Sequence, residues 1–223
     1  MRARATAATP RSTRDLILDA AERVFAERGL DGVSMREIAA EAGLKNQASL
    51  YHHFRDKDAL YEAVLARGVD ALLVVVAADA PSAAPRDRWT TPAAAVDRAV
   101  DRLLDYLGEH PNLPRLIQRA GLDGGQVGGT ATRLLRPLYD QGLVALVGRG
   151  PAWTAEEMPY LAAGIYHLIF GYFANAPLLE AVVGADPRTP TAVARQRRFV
   201  KAALARLLAL PRAARPSRGV RSA

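Results

Sequence analysis

Four histidines, His52, His53, His110 and His167, are the side chains best suited to metal or proton-transfer chemistry, and their spacing favours neither. None stands in a His-Glu-x-x-His pattern, and adjacent His52 and His53 point apart on a helix. The chain has no cysteine, which removes thiolate metal sites, disulfides and thiol redox chemistry together. No Gly-x-Ser-x-Gly elbow or dinucleotide fingerprint is present. The glycine-rich run from Gly121 to Gly129 lacks both the Lys-Ser/Thr ending of a phosphate loop and a strand before it, so it reads as a connector. No metal, cofactor or catalytic group is expected, and the chain does not read as an enzyme.

A different chemistry is concentrated between Ser34 and Lys57. Ser34 and Glu37 form a capping box, with Val33 and Ile38 at the hydrophobic-staple positions around it. The helix they open carries Ile38, Ala39 and Ala42 and ends at Gly43, which suits a left-handed C′ residue. Asn46 is then expected to cap a second short helix running through Leu50, Tyr51 and Phe54. Two short helices joined by a tight glycine-containing turn make a helix-turn-helix, whose second helix enters a DNA major groove.

The segment from Gly43 to Leu60, Gly-Leu-Lys-Asn-Gln-Ala-Ser-Leu-Tyr-His-His-Phe-Arg-Asp-Lys-Asp-Ala-Leu, resembles the recognition region of TetR-type transcriptional regulators. Ile38-Ala39, Ala42-Gly43, Leu50-Tyr51, Phe54, Lys57 and Leu60 fall on that pattern, with one extra residue between Gly43 and Asn46. The motif covers roughly the first third of the chain. The resemblance implies that Asn46, Gln47, Ala48, Ser49, Tyr51 and His52 lie at bases or neighbouring phosphates, and that His53, Lys57 and Ser34 meet phosphates. The residue types agree: Gln bonds adenine bidentately, Ser serves either base type, and Ala touches a thymine methyl.

Positioning such a motif needs helices, and the composition supplies them. Half of the 223 residues are hydrophobic and only 6% aromatic, which favours an all-α fold. Ser12 and Asp15 should open a first helix carrying Leu16-Ile17, Ala20-Ala21 and Val24-Phe25, closing a three-helix DNA-binding head over residues 11–58 with Leu30 and Phe54. Asp56 caps a fourth helix to about Ala78. Pro81 to Pro92 reads as a linker, and Thr91 as the cap of a helix ending before Pro111. Further helices are expected at Leu113–Ala120, Thr130–Val147 (kinked at Pro137), from the Thr154/Glu157 pair through Phe173, and from Thr191 to Leu210. Residues 59–210 would form the effector-binding and dimerisation domain. The net charge of +7 suits a polyanion, although much of it sits in the arm 1–10 and the tail 211–223, both expected to be disordered and solvated.

The stretch from Tyr160 to Phe173 is apolar on every side and must be covered all round. Its length argues against a membrane span, and the first residues lead to no apolar signal segment, so a cytoplasmic protein is expected. We expect one side to face its own chain and the other a second copy, with Ile165, Ile169, Val200, Leu204 and Leu207 in a four-helix homodimer interface. Tyr106, Gln118, Tyr139, Tyr166, His167 and Phe170 are the candidates for an effector pocket. The resemblance implies a repressor released from a palindromic double-stranded DNA operator by a small, mostly apolar effector. The alternative is a helical ligand-binding or scaffolding module that reads no DNA sequence.

Overall fold

The computed structural model describes residues 11–78, 92–122, 125–146 and 153–208. The arm 1–10, the tail 211–223, most of the Pro81–Pro92 linker, the Thr91 cap, Val147 and Leu210 lie outside them. Within the described residues the regular structure is ten helices: α1 (Thr13–Arg28), α2 (Met35–Glu41), α3 (Ala48–Tyr51), α4 (Lys57–Ala77), α5 (Pro92–Glu109), α6 (Asn112–Leu122), α7 (Gly125–Leu146), α8 (Met158–Ala174), α9 (Ala176–Val183) and α10 (Pro190–Leu207). None of them is long and apolar enough to cross a membrane. Packing divides the chain into two units, one running to Leu72 and including His110–Pro137, the other made of Leu73–Glu109 and everything from Leu138. The division therefore does not follow chain order: α4 up to Leu72 and all of α6 group with the residues 11–58 expected to form the head.

In the first unit, Ser12 Oγ accepts from the Asp15 amide at 3.1 Å and opens α1. The buried face of α1 carries Ile17, Leu18, Ala20, Ala21, Val24 and Phe25. Leu16, expected in this stripe, is 41% exposed, because Leu18 rather than Leu16 shares the helical face of Ala21 and Phe25. Against this face lie Leu30, Val33, Ile38, Leu50 and Phe54, all buried, and the Phe25 ring meets Tyr61 of α4 edge-on at 5.0 Å. Helix α6 docks on α1, where the Arg119 guanidinium donates to the Ala26 and Glu27 carbonyls at 2.9 and 2.7 Å. Those carbonyls belong to the last turn of α1 and have no partner within the helix. Where α4 passes α6 the backbones come close, and a methyl added at Gly68 would stand 2.2 Å from Leu113 Cδ1.

In the second unit α5 packs on α10 and α8. Arg197 and Lys201 of α10 reach Asp101 of α5 at 3.0 and 2.7 Å, and Arg197 also pairs with Asp105. The Thr154/Glu157 pair forms, with Glu157 accepting from the Thr154 amide at 2.9 Å, yet α8 itself begins at Met158 beside Pro159. Helix α10 begins before the expected Thr191. Thr189 caps it by accepting from the Ala192 amide, and Pro190 occupies a first-turn position where its missing N–H costs nothing.

Three further expectations are corrected. The connector from Gly121 to Gly129 is partly helical, since α7 begins at Gly125. Glycine costs about 1 kcal/mol relative to alanine in a helix but does not forbid one, and Thr132 Oγ1 donates to the Gly128 carbonyl along this turn. Helix α9 was not expected at all. The assignment of Ile169, Val200 and Leu204 to a dimer interface also fails, because these side chains are 3%, 0% and 3% exposed within their own chain and already fill its core. Phe199 at 56% and Leu207 at 37% are the apolar side chains that α10 turns outward.

Two glycines should respond with opposite sign. Gly68→Ala should destabilise by about 1–3 kcal/mol, because Leu113 is buried and cannot retreat. Gly108→Ala in α5 meets nothing within 4 Å and should be neutral or stabilising by up to ~1 kcal/mol. Thermal melts of both variants beside the parent check this; a harmless Gly68→Ala would mean that α4 and α6 do not approach as closely as described.

Candidate functional site

Helix α2 is fixed at both ends by its own sequence. At its start the Ser34 amide and hydroxyl donate to Glu37 Oε2 at 2.8 and 2.7 Å, and the Glu37 amide returns a bond to Ser34 Oγ at 3.3 Å. At its end Gly43 takes φ +70°, and the Leu44 and Gly43 amides close on the Ala39 and Ala40 carbonyls at 2.9 and 3.0 Å. That is a complete Schellman pair, which only glycine enters without strain. Asn46 then caps as expected, its Oδ1 accepting from the Ala48 amide at 2.8 Å. The helix that follows is shorter than expected. α3 stops at Tyr51, and Phe54 is buried from the succeeding turn, whose amides at His53 and Phe54 return to the Leu50 carbonyl.

Leu50 points wholly inward, which turns Ala48, His52 and Tyr51 toward solvent and leaves Gln47 and Ser49 partly exposed. Gln47 Nε2 lies 3.4 Å from the Tyr51 hydroxyl, so the amide and the phenol share one edge of α3. Lys57, the first residue of α4, donates its ammonium to the Val33 carbonyl at 3.1 Å, directly before the Ser34 cap. An open notch results, lined by Ser34, Arg36, Gln47, Tyr51, Arg55 and Lys57 among others. His53 is exposed. The notch thus brings Ser34, Gln47, Tyr51 and Lys57 together beside the amino ends of α2 and α4, which the Glu37 and Asp56 carboxylates cap within the same notch.

Arg36 and Arg55 were not singled out from the sequence. A signal for Arg36 existed: a cation in the first turn of a helix opposes the helix dipole, so an arginine there gains most from an anion outside the chain. Arg55 leans on Asp56 at 2.8 Å while remaining largely exposed. The Asp56 carboxyl is held below its ordinary range, chiefly by the Ala59 amide that it caps and further by Arg55.

A second concavity lies wholly within the other unit. It is a cavity of about 180 Å³ reached by Val96, Leu103, Tyr139, Ile165, Tyr166 and Phe170 among others. Three of the expected pocket residues are there, Tyr139, Tyr166 and Phe170. Three are not. Tyr106 does not line it, Gln118 sits on α6 in the first unit, and His167 is exposed, edge-on to Tyr166 at 5.3 Å. Ile165 and Ile169, expected at a dimer interface, line the cavity instead, because helix periodicity places them on the flank that Tyr166 and Phe170 share. Among the described residues no group of His, Cys, Asp and Glu could hold a metal ion.

The sequence model of the tetR family of bacterial regulatory proteins matches residues 17–64. The chain is 31% identical over 182 residues to the HTH-type transcriptional repressor Rv3405c of Mycobacterium tuberculosis, covering 78% of each protein. It is 43% identical over 67 residues to the HTH-type transcriptional repressor KstR2 of Mycolicibacterium smegmatis, a match spanning 30% of this chain and 32% of that one. Its fold is similar to a TetR-like transcriptional regulator from Rhodococcus sp. RHA1, with TM-score 0.65 and 21% identity over 92% of this chain and 100% of that one.

The capping box carries a pH signature. The Ser34 hydroxyl, then its amide, then Arg28 hold the Glu37 carboxyl at about 2 rather than the usual 4.5. A carboxylate with a depressed folded pKa stabilises fully above its unfolded value, and that contribution is lost as pH falls through the folded one. The melting temperature should therefore fall more steeply for the parent than for Glu37→Gln between pH 4.5 and about 2. Parallel curves across that window would mean that the box is open in solution.

Proposed function

Because the chain belongs to the TetR family of DNA-binding transcriptional regulators, we propose that it acts as a homodimeric repressor. Each head would bind one half-site of a palindromic operator, and a small, mostly apolar effector held in the cavity between α5, α7 and α8 would release it. The observation that carries the DNA reading is the notch. An amide, a phenol and a hydroxyl capable of base or phosphate contacts stand beside Lys57, Arg36 and two helix amino ends. Ala48, Ser49 and His52 would complete the base-facing surface, with Asn46 and His53 at its borders. For release, the effector must bind the DNA-free conformer more tightly, since equal affinity for both shifts nothing.

The surface that we assign to a second copy differs from the one expected from sequence. Tyr160 is 80% exposed on α8 and Phe199 56% on α10, and Gly164 and His167 continue the same outward face of α8. Large apolar side chains held in water on two adjacent helices favour burial against a symmetry mate.

Two measurements test this reading. Gln47→Ala should lose about 1–3 kcal/mol on the cognate operator and nothing on random DNA, whereas Lys57→Ala should weaken all sequences and lower the log–log salt slope by about one. Equal losses on operator and random DNA for Gln47→Ala would favour a module that reads no sequence. Phe199→Asp should give a folded monomer with weakened operator binding, while Val200→Asp should unfold the second unit, because a lone carboxylate would enter a packed core. Light scattering and circular dichroism distinguish the two, and a Phe199→Asp dimer of parental affinity overturns the proposed interface.

A further inference from the structure

The wall of the cavity is more selective than a generic apolar pocket. Among the described residues sixteen line it, and of these only Tyr139 and Tyr166 bring polar side-chain atoms and none carries a charge. The two phenol rings lie with centroids 5.4 Å apart, and Phe170 stacks on Tyr166 at 4.7 Å with an interplanar angle of 19°. Among the described residues neither phenol hydroxyl has a hydrogen-bond partner, and both tyrosines are half-buried in the wall. Both hydroxyls are therefore open to a hydrogen bond from a molecule entering the cavity. The flat aromatic group, the unpartnered hydroxyls and the lack of charge all constrain what can enter.

We propose that the cavity takes an uncharged monocyclic aromatic molecule bearing one hydrogen-bonding group, its ring beside Tyr166 and Phe170 and its polar group on the Tyr139 and Tyr166 hydroxyls. Size sets the number of rings. A cavity of about 150 Å³ holds benzene, so the 180 Å³ here accommodates one ring with a short substituent, roughly ten non-hydrogen atoms. Charge is excluded from both sides. An anion would be desolvated with no cation in the wall, and for a cation the attraction of ring faces, with no carboxylate beside them, would not offset the lost hydration. Burial pushes both phenols up from their ordinary range, and for Tyr166 the neighbouring Tyr139 adds to the effect. Both therefore stay protonated near neutral pH and offer an O–H to a carbonyl, ether or hydroxyl oxygen.

The inference rests on the effector site proposed above, and the experiment separates the two. Ethylbenzene, acetophenone, benzoate and benzyltrimethylammonium are titrated against the full chain, with binding read by calorimetry and by the rise in melting temperature. Acetophenone should bind tightest. Tyr166→Phe, with Tyr139→Phe as a second variant, should weaken acetophenone about threefold to tenfold, the worth of one hydrogen bond, and leave ethylbenzene unchanged. Ala99→Phe, which fills the cavity, should abolish both. If benzoate or the ammonium binds more tightly than acetophenone and Ala99→Phe removes it, the effector site stands and the ligand class is overturned. If no probe binds, or if binding survives Ala99→Phe, both the class and the site are overturned.

Discussion

A helix of a single turn cannot hold itself together. Four residues, Ala48–Tyr51, fix several dihedrals for very few hydrogen bonds, which is the unfavourable nucleation step of helix formation with no propagation to offset it. What holds α3 in place is the burial of Leu50 and Phe54, 0% and 5% exposed, each worth about 2–3 kcal/mol when taken from water. Arg14 adds a guanidinium over the Phe54 ring at 5.3 Å. The rest of the head serves this one anchoring. α1 supplies the apolar floor, the Schellman turn at Gly43 and the Asn46 cap set where α3 begins, and the Asp56 cap starts α4 immediately after Phe54. Because Leu50 is the residue that faces in, Gln47, Tyr51 and His52 have no choice but to face away from the core.

The second unit meets the opposite difficulty, since α8 has more apolar surface than one neighbour can cover. Its circumference is shared three ways. Leu161, Ile169 and Phe173 are buried in the unit. Ile165, Tyr166 and Phe170 line the cavity, and Tyr160, Gly164 and His167 face outward. Helix α10 repeats the division with fewer sides: Val200, Leu204 and Leu208 turn in, Phe199 and Leu207 out. One hydrophobic helix thus serves core, cavity and external surface.

That sharing explains what the sequence could and could not disclose. The head was legible because its boundaries are set locally: Ser12, Ser34–Glu37, Gly43, Asn46 and Asp56 each cap or end a helix through partners within a few residues. On α8 the faces are all apolar, so no period distinguishes core from cavity from surface, and Ile165 and Ile169, expected at a dimer interface, line the cavity. Helix α9 escaped because Pro177, which reads as a breaker, sits in its first turn, where proline is tolerated. Gln118 was misplaced for another reason. Nothing in a helical pattern says which unit the helix joins, and α6 is held in the first by Arg119, ninety-odd positions from its acceptors on α1.

The same separation between local and long-range information governs charge. A net +7 names no surface, but the pairings do. On α1 and α2, Arg23 is matched by Glu41 and Arg28 by Glu37, and Arg67 of α4 is matched by Asp19 and Glu22. Exposed pairs of this kind contribute little stability. Their larger effect is to neutralise that flank of the head and so confine its positive field. Arg36 and Lys45, which have no ion-pair partner among the described residues, and Lys57, whose bond is to a neutral carbonyl, are left as the cations of the helix-turn-helix itself. Of these, Arg36 and Lys57 lie in the notch, together with the Glu37 and Asp56 carboxylates that cap the α2 and α4 amino ends. On the proposed DNA reading, a duplex attracted to Arg36 and Lys57 would meet Gln47 and Tyr51 in the same notch, so long-range attraction and short-range base contacts would act at one place.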